Sequence, residues 1–356
     1  MESFARGRVI KVVSAIAVVS SLVLLAVAST PPARVVKWQE AVVVYGPGSY
    51  QCLDLATGTD GVYIVTWEYP AGRVLLFKSV DGGATWGAPV DVFGMSLYPG
   101  YSSMCVYQDG EEDTILVVSG PKYVAKSVDS GETFQRLADV PVPDYGTWYC
   151  TSAIGTNASW FGGEGDDDMY FVGALYVGVP WSGKYVLHSS VSHDGGASWE
   201  APVAVSPVDY ESFWPELFSD GQRLYATHAV ANSVVVHLKY SEDWGATWTD
   251  GGDLAEAEGT GGLIALKVQP IDSHRAFMTL WNVPEPGGVG TARCGYFSYD
   301  DMTFKETFRV DNPDWQFGRF GLSVEMVSMS EFRVAGLDLI EPGAYDIIFA
   351  NSQNVE

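Results

Sequence analysis

Short apolar segments, each about the length of one β-strand, alternate with polar, glycine-rich turns over most of the chain. One turn pattern recurs, and an apolar segment precedes its complete copies, at Arg73–Lys78, Tyr123–Lys126, Tyr185–Ser190 and Ser233–Tyr240. Another apolar segment follows the turn, as at Trp86–Val92 and Trp199–Val205. The pattern predicts that the recurring turn joins the third and fourth strands of a four-stranded unit.

The recurring turn reads Ser-Val-Asp-Gly-Gly-Ala-Thr-Trp in its first copy, Ser79–Trp86. Similar copies follow at Ser127–Phe134, Ser192–Trp199 and Ser241–Trp248, and a shorter one at Ser298–Phe304. Aspartate accepts backbone N–H bonds in a tight turn, glycine supplies a positive φ, and the aromatic residue buries against the sheet. We therefore predict structural, not catalytic, roles for the aspartates Asp81, Asp129, Asp194, Asp243 and Asp300.

The spacing of these turns predicts the architecture. They lie roughly 50 to 65 residues apart, which suits one propeller blade per copy. Strand-rich units cover residues 50–92, 101–140, 146–205, 210–254, 260–310 and 317–350. The last unit has three strands, and residues 36–44 resemble an orphan fourth strand. We expect an all-β, six-bladed β-propeller of four-stranded antiparallel blades over residues 36–350, closed by the N-terminal strand, with a tail at 351–356.

Composition agrees with many short strands, because 13% of the residues are aromatic and 39 are glycine. The formal net charge of −24 would repel a phosphate backbone, so we expect no nucleic-acid partner.

The N-terminal segment has the layout of an export signal. A basic start precedes an uncharged, mostly apolar run at Val12–Ala28. Ala26-Val27-Ala28 fits a small-x-small cleavage site, but the run also approaches the length of a membrane span. Residues 1–28 are therefore predicted to be either a signal peptide or a single-span membrane anchor, with a linker at 29–35. Both alternatives predict an extracellular or cell-surface location.

The cysteines leave two alternatives open. The chain has four cysteines, Cys52, Cys105, Cys150 and Cys294. If the protein is exported, they can form disulfides in any of three complete pairings. Alternatively, they are buried free thiols, because a core this large does not need disulfides for stability. Neither C-x-x-C nor H-E-x-x-H spacing occurs. We predict no metal site and no cofactor.

The recurring turn is similar to the Asp box, and the chain resembles the sialidase-like family of six-bladed β-propellers over nearly all of residues 36–350. The resemblance implies the fold, but Asp boxes occur in hydrolases, lectin-like domains and receptors alike. In sialidases three arginines clamp the substrate carboxylate, and a tyrosine activated by glutamate is the nucleophile. Here Gln51 and His228 match the first two arginine positions, Arg293 matches the third loosely, and Phe320-Gly321 replaces the tyrosine. We therefore do not expect sialidase activity.

The connections between successive blades are rich in aromatic residues and lie opposite the Asp boxes. Aromatic rings stack on sugar faces and peptide planes, so this face suits a glycan or protein ligand. Alternatively, the rings only fill gaps between blades. The predicted ligand-binding residues are Tyr101, Trp148, Tyr149, Phe213, Trp214 and Trp315.

Two carboxylates suffice for glycoside hydrolysis, and the same region supplies several acidic residues. The candidate catalytic residues are Glu216, Glu211, Asp54, Glu325 and Arg293. Three functions follow as hypotheses. The first is a surface propeller that binds a glycan or protein, the second is a glycoside hydrolase other than a sialidase, and the third is a structural component of a cell-surface assembly.

Overall fold

The computed structural model describes residues 36, 38–97, 101–120, 122–141, 152–156, 159–160, 168–177, 184–207, 212–230, 234–259, 262–283, 290–310, 317–328, 330–341 and 344–352. The predicted export segment and linker lie outside these ranges. No helix in this part of the chain has the length and apolar character that a membrane span needs.

The chain folds into six four-stranded antiparallel sheets, the blades of a propeller. The first strand, β1 (Val42–Gly48), belongs to the last blade. Blade 1 contains β2 (Tyr50–Thr57), β3 (Val62–Glu68), β4 (Arg73–Ser79) and β5 (Val90–Asp91). Blade 2 contains β6 (Ser102–Gln108), β7 (Asp113–Ser119), β8 (Tyr123–Ser127) and β9 (Gln135–Arg136). Blade 3 contains β10 (Ser152–Gly155), β11 (Met169–Val177), β12 (Lys184–Ser192) and β13 (Val203–Ala204).

The remaining blades follow the same order. Blade 4 contains β14 (Ser212–Ser219), β15 (Leu224–Val230), β16 (Val235–Ser241) and β17 (Thr249–Glu256). Blade 5 contains β18 (Gly262–Asp272), β19 (Arg275–Val283), β20 (Thr291–Ser298) and β21 (Thr303–Val310). Blade 6 contains β22 (Phe317–Ser328), β23 (Glu331–Glu341), β24 (Ala344–Asn351) and β1. The first strand of each blade lies next to its counterparts around the axis and forms the inner wall.

The N-terminal strand closes the ring, as the sequence predicts. β1 pairs antiparallel with β24, and Val42 lies opposite Phe349. Trp38 and Ser352 form one further bridge beyond this strand. The strand runs from Val42 to Gly48, a few residues later than the predicted 36–44. Pairing the two ends of the chain leaves no open blade edge at the closure.

The four complete Asp boxes share one set of hydrogen bonds. The Asp81 carboxylate accepts the Ser79 hydroxyl at 2.8 Å, the Thr85 amide at 2.8 Å and the Thr85 hydroxyl at 2.6 Å. The equivalent bonds recur at Asp129, Asp194 and Asp243. Bonds from Thr85 and Ser79 favour the ionised carboxylate and lower the pKa of Asp81 to about 2.

The fifth copy differs from the expectation. Thr303 donates its hydroxyl to Asp301 at 2.8 Å, and bonds from Ser298 and Thr303 lower the pKa of Asp301. Asp300 instead lies 3.4 Å from the exposed His274 ring. Because this copy is one residue shorter, Asp301, not the expected Asp300, occupies the position that receives the turn bonds.

The boxes also join neighbouring blades. Gly83 has φ of 96°, and a Cβ there would lie 2.0 Å from the Phe349 ring of blade 6. Gly131 approaches Leu76 of blade 1 in the same way, at 2.6 Å. Glycine is therefore required in these boxes both for the left-handed backbone and for close packing on the preceding blade.

Candidate functional site

Three inner strands are irregular next to a charged residue. β2 shifts register at Cys52, whose φ is 57°, and β14 shifts at Trp214, whose φ is 49°. Asp54 and Glu216 each follow two residues later, and a third register shift ends at Lys267. A bulge redirects the side chains after it, and a left-handed non-glycine residue is strained. These irregularities aim charged side chains toward the axis.

The charged residues surround a cavity of about 110 Å³ on the axis. Every inner strand contributes to its wall, with Thr57, Cys105, Ile154, Glu216, Lys267 and Glu325 among the lining residues. Thr57 ends β2 and Glu325 lies near the end of β22, so the cavity follows the middle and C-terminal parts of these strands. We call this space the axial cavity.

Asp54 and Lys267 form a buried ion pair in the wall. Lys267 Nζ lies 2.9 Å from Asp54 Oδ1, and the two side chains are 14% and 9% exposed. The Asp54 carboxylate also accepts the backbone amides of Leu55 and Met104, at 2.8 and 2.9 Å. Ser103 and Ser323 each donate a longer bond of 3.3 Å. These donors fix the Asp54 carboxylate in place, and it in turn positions Lys267.

Glu325 is held by both polar groups of one residue. The Thr57 amide donates to Glu325 Oε1 at 2.9 Å, and the Thr57 hydroxyl donates to Oε2 at 2.5 Å. Arg333 donates in turn to the Thr57 hydroxyl at 2.6 Å, which directs the threonine proton toward the carboxylate. Burial raises the pKa of Glu325, while Thr57, Lys267 and Arg333 oppose the rise.

Glu216 has a different environment in the same cavity. It is partly exposed, whereas Glu325 is only 5% exposed. Burial of the carboxyl group and the nearby negative charge of Asp54 raise the pKa of Glu216 well above its ordinary value. Lys267 and the Val268 backbone offset this only in part. Burial beside Asp54 therefore favours the protonated form of Glu216.

Lys267 stays charged among these acids. Burial lowers its pKa, but attraction to Asp54, Glu216 and Glu325 outweighs this effect, so the pKa of Lys267 lies above its ordinary value. Lys267 is thus the point at which these three acidic groups meet.

The thiols near the axis are not activated. Burial raises the pKa of Cys105 to about 12 and raises the pKa of Cys52 well above its ordinary value. Cys52, Cys105 and Cys294 are free thiols, and Cys150 lies outside the described residues. Within the described part of the chain, no group of three or more potential ligands could hold a metal ion.

Comparison with known proteins identifies the fold. No family model and no curated protein matches the sequence. A Dyadobacter fermentans protein of unknown function superposes with a TM-score of 0.62 and 17% identity, over 91% of this chain and 100% of that one. A Penicillium chrysogenum α-L-arabinanase gives 0.61 and 12%, over 90% and 99% of the two chains. A Streptococcus pneumoniae sialidase gives 0.58 and 12%, over 92% and 72%. The fold is a sialidase-like propeller. At these identities the likeness concerns the fold alone.

Of the five predicted catalytic residues, three come together, one does not, and one lies outside the described residues. Asp54, Glu216 and Glu325 meet around Lys267 at the axis. Arg293 lies on the third strand of blade 5, where its Nε is 2.6 Å from Glu306 and its Nη1 donates to the Glu256 carbonyl. It does not line the axial cavity. Glu211 lies outside the described residues.

The aromatic predictions are only partly covered. Phe213 packs against Tyr185 and Trp214, with ring centroids 4.7 and 5.3 Å apart. The Tyr101 ring lies 6.4 Å from Trp67. Phe213 and Tyr101 lie at the N-terminal ends of the inner strands, before the part that forms the axial cavity. Trp148, Tyr149 and Trp315 lie outside the described residues.

Sequence reasoning missed Lys267, Thr57 and Arg333. Lys267 had a detectable signal, because it interrupts the apolar run Gly-Leu-Ile-Ala-Leu-Lys-Val at residues 262–268. Thr57 and Arg333 had none, since they are 276 residues apart and meet only through closure of the ring. His228, which matches an arginine position of sialidases, lies on β15 and not in the axial cavity.

Proposed function

We propose that the chain hydrolyses a glycosidic bond of a neutral sugar at the axial cavity. The supporting observation is the convergence of Glu216 and Glu325, two carboxyl groups in unlike environments, beside Lys267. A pair of carboxyl groups of unequal pKa is what acid and base roles in glycoside hydrolysis require. The arabinanase and the sialidase with similar folds also act on carbohydrates, as their names state.

Each carboxyl group has a role. Protonated Glu216 donates its proton to the glycosidic oxygen as the bond from that oxygen to the anomeric carbon breaks. Glu325 accepts a proton from water, whose oxygen forms the new bond to the anomeric carbon. Thr57 fixes both oxygens of Glu325, and Asp54 holds Lys267 beside the acids. The carboxylate of Glu325 also stabilises the positive charge that develops on the sugar.

The lining favours a neutral substrate and a terminal sugar. No arginine is among the described residues that line the axial cavity, and its one cation, Lys267, is paired with Asp54. A substrate carboxylate would therefore find no unpaired cation among these lining residues. A volume of about 110 Å³ is smaller than the roughly 150 Å³ that holds benzene, so only part of one sugar enters.

The test is turnover of a panel of chromogenic aryl glycosides, including α-L-arabinofuranosides, galactosides, glucosides and a sialoside. We expect release from at least one neutral glycoside and none from the sialoside between about pH 4 and pH 8. Glu216→Gln and Glu325→Gln should each lower kcat/KM by about 10²- to 10⁴-fold, a typical contribution of acid–base catalysis.

Two variants serve as controls. Glu200→Gln changes an exposed glutamate of a blade 3 turn, and Arg293→Ala changes a residue away from the axial cavity. Both should retain full turnover. Absence of turnover on every glycoside, or loss in Arg293→Ala at unchanged melting temperature, would contradict the assignment.

Glycan binding without hydrolysis is the second candidate function. It is favoured because the axial carboxylates already accept hydrogen bonds from the protein. Asp54 accepts five bonds from the protein, and both oxygens of Glu325 are already engaged by Thr57. This function predicts that Trp214→Ala weakens glycan binding by about 1 to 3 kcal/mol while no glycoside is hydrolysed. Binding isotherms on the same panel distinguish the two candidates.

A further inference from the structure

A second cavity lies in blade 4, on the side that faces blade 3. Its volume is about 230 Å³, and its lining includes His228, His237, Lys239, Asp250 and Asp253. It shares no lining residue with the axial cavity. Further along this face, Leu224 and Ala226 pack against apolar residues of blade 3. Polar groups and an empty volume thus replace ordinary inter-blade packing at this place.

The two ring nitrogens of His228 have no hydrogen-bond partner among the described residues. His228 is only 2% exposed. Burial, together with the nearby His237 and Lys239, lowers its pKa to about 3, so the ring is neutral at physiological pH. A buried polar group without a partner is costly, and a neutral imidazole presents one donor and one acceptor.

The remaining polar groups are arranged around this ring. His237 lies directly opposite His228 on the neighbouring strand, with ring centroids 5.6 Å apart. His237 Nδ1 is 2.8 Å from Asp253, and Lys239 Nζ is 3.4 Å from Asp250. Both aspartates are largely exposed, whereas Lys239 is buried. The cavity therefore has hydrogen-bonding groups inside and carboxylates at its mouth.

The charges and the volume select the ligand. His237 and Lys239 each lie beside an aspartate, so the cavity does not require an anionic ligand. The ammonium of Lys239 would repel a metal cation. A hydroxylated ligand can bond to imidazole, ammonium and carboxylate together. Because about 150 Å³ holds benzene, 230 Å³ accommodates a larger ring with hydroxyl groups.

We propose that this inter-blade cavity binds one neutral monosaccharide-sized polyol, with His228 as a direct hydrogen-bonding partner. The site is separate from the axial cavity and does not depend on hydrolysis there.

The test is calorimetric titration of the full chain with arabinose, xylose, galactose and glucose, each as a free sugar. We expect saturable binding of at least one sugar with a Kd of roughly 1 mM. His228→Leu should weaken this binding at least tenfold while the melting temperature stays equal or rises, because an apolar side chain replaces an unpaired polar one. His237→Phe should also weaken binding of the same sugar.

Two controls separate this site from others. His274→Leu removes an exposed histidine that also lies near an aspartate, Asp300, and should leave binding unchanged. Glu216→Gln should also leave it unchanged, which distinguishes failure here from failure of the proposed hydrolysis. The proposal is overturned if no sugar saturates at about ten times that Kd. It is equally overturned if sugar binding survives His228→Leu. Zn²⁺ and galacturonate are titrated in parallel, and binding of either one without binding of a neutral sugar would also overturn it.

Discussion

Two groups of carboxylates in this propeller, those of the recurring turns and those at the axis, have surroundings that shift their pKa in opposite directions. In the Asp boxes, Asp81 accepts bonds from residues two and four positions away, and its pKa falls to about 2. At the axis, burial raises the pKa of Glu216 and of Glu325, and Glu325 accepts a hydrogen bond from a residue 268 positions away. The same functional group, a carboxyl, is thus held as an anion in the turns, whereas burial at the axis favours its protonated form.

The difference shows what kind of interaction each region depends on. A box closes on itself, so its carboxylate is satisfied as soon as the turn forms. The axial acids are satisfied only after all six blades surround them, and much of their interaction is with one another and with Lys267. Substitutions at the axis should therefore have larger and less local effects than substitutions in the boxes.

The largest expected effect is at Lys267. Lys267→Met removes the one cation among the described residues that line the axial cavity, and it leaves Asp54 buried without its ammonium partner. We expect a loss of about 3 to 5 kcal/mol in the free energy of unfolding, measured by urea denaturation. Lys305→Met, at an exposed lysine of blade 5, should change it little. Unchanged stability of Lys267→Met would show that the axial acids do not depend on this ammonium.

An intermediate effect is expected in a box. Asp129→Ala removes three hydrogen bonds of the turn and should lower the free energy of unfolding by about 1 to 3 kcal/mol. Under conditions in which the variant is fully folded, glycoside turnover or ligand binding should be retained. Glu132→Ala, in the same turn, is the control. Selective loss of function at full stability would show that this turn itself contacts the ligand.

The pH dependence of stability should have opposite signs in the two regions. The pKa of Glu216 is raised in the folded state, so its contribution is present below its ordinary pKa and is lost as pH rises through the folded value. The pKa of Asp81 is depressed, so its contribution is present above its ordinary value and is lost as pH falls toward about 2.

Urea denaturation of the wild type, Glu216→Gln and Asp81→Asn from about pH 2 to about pH 8 measures this contrast. The stability of Glu216→Gln should gain on the wild type as pH rises. The deficit of Asp81→Asn should shrink as pH falls. The same slope in both variants would refute the comparison.

The smallest effect concerns the shortened fifth box. Asp301→Ala should lower the melting temperature, because Asp301 accepts the Thr303 hydroxyl. Asp300→Ala should leave it nearly unchanged, since Asp300 is exposed and has only a long contact with His274. The opposite ranking would restore Asp300 as the turn-forming residue.

Much of the fold could be predicted because the propeller repeats. Each box carries its own turn chemistry within eight residues, so four copies and an orphan N-terminal strand predict six blades and their closure without any long-range information. The error at Asp300 arose where the repeat loses one residue, since deletion changes which side chain reaches the turn. The exact start of β1 was also missed, because strand ends depend on pairing with β24.

The blades, the turns and the set of acidic candidates can be predicted from the chain, because strand periodicity and turn chemistry are local properties. The meeting of Asp54, Glu216 and Glu325 at Lys267, from which Arg293 is absent, depends on tertiary structure, because residues more than 200 positions apart converge only when the ring closes. The same holds for the raised pKa of Glu216 and for the His228 ring, whose nitrogens have no hydrogen bond among the described residues. Burial by neighbouring blades sets both, and no local pattern records it.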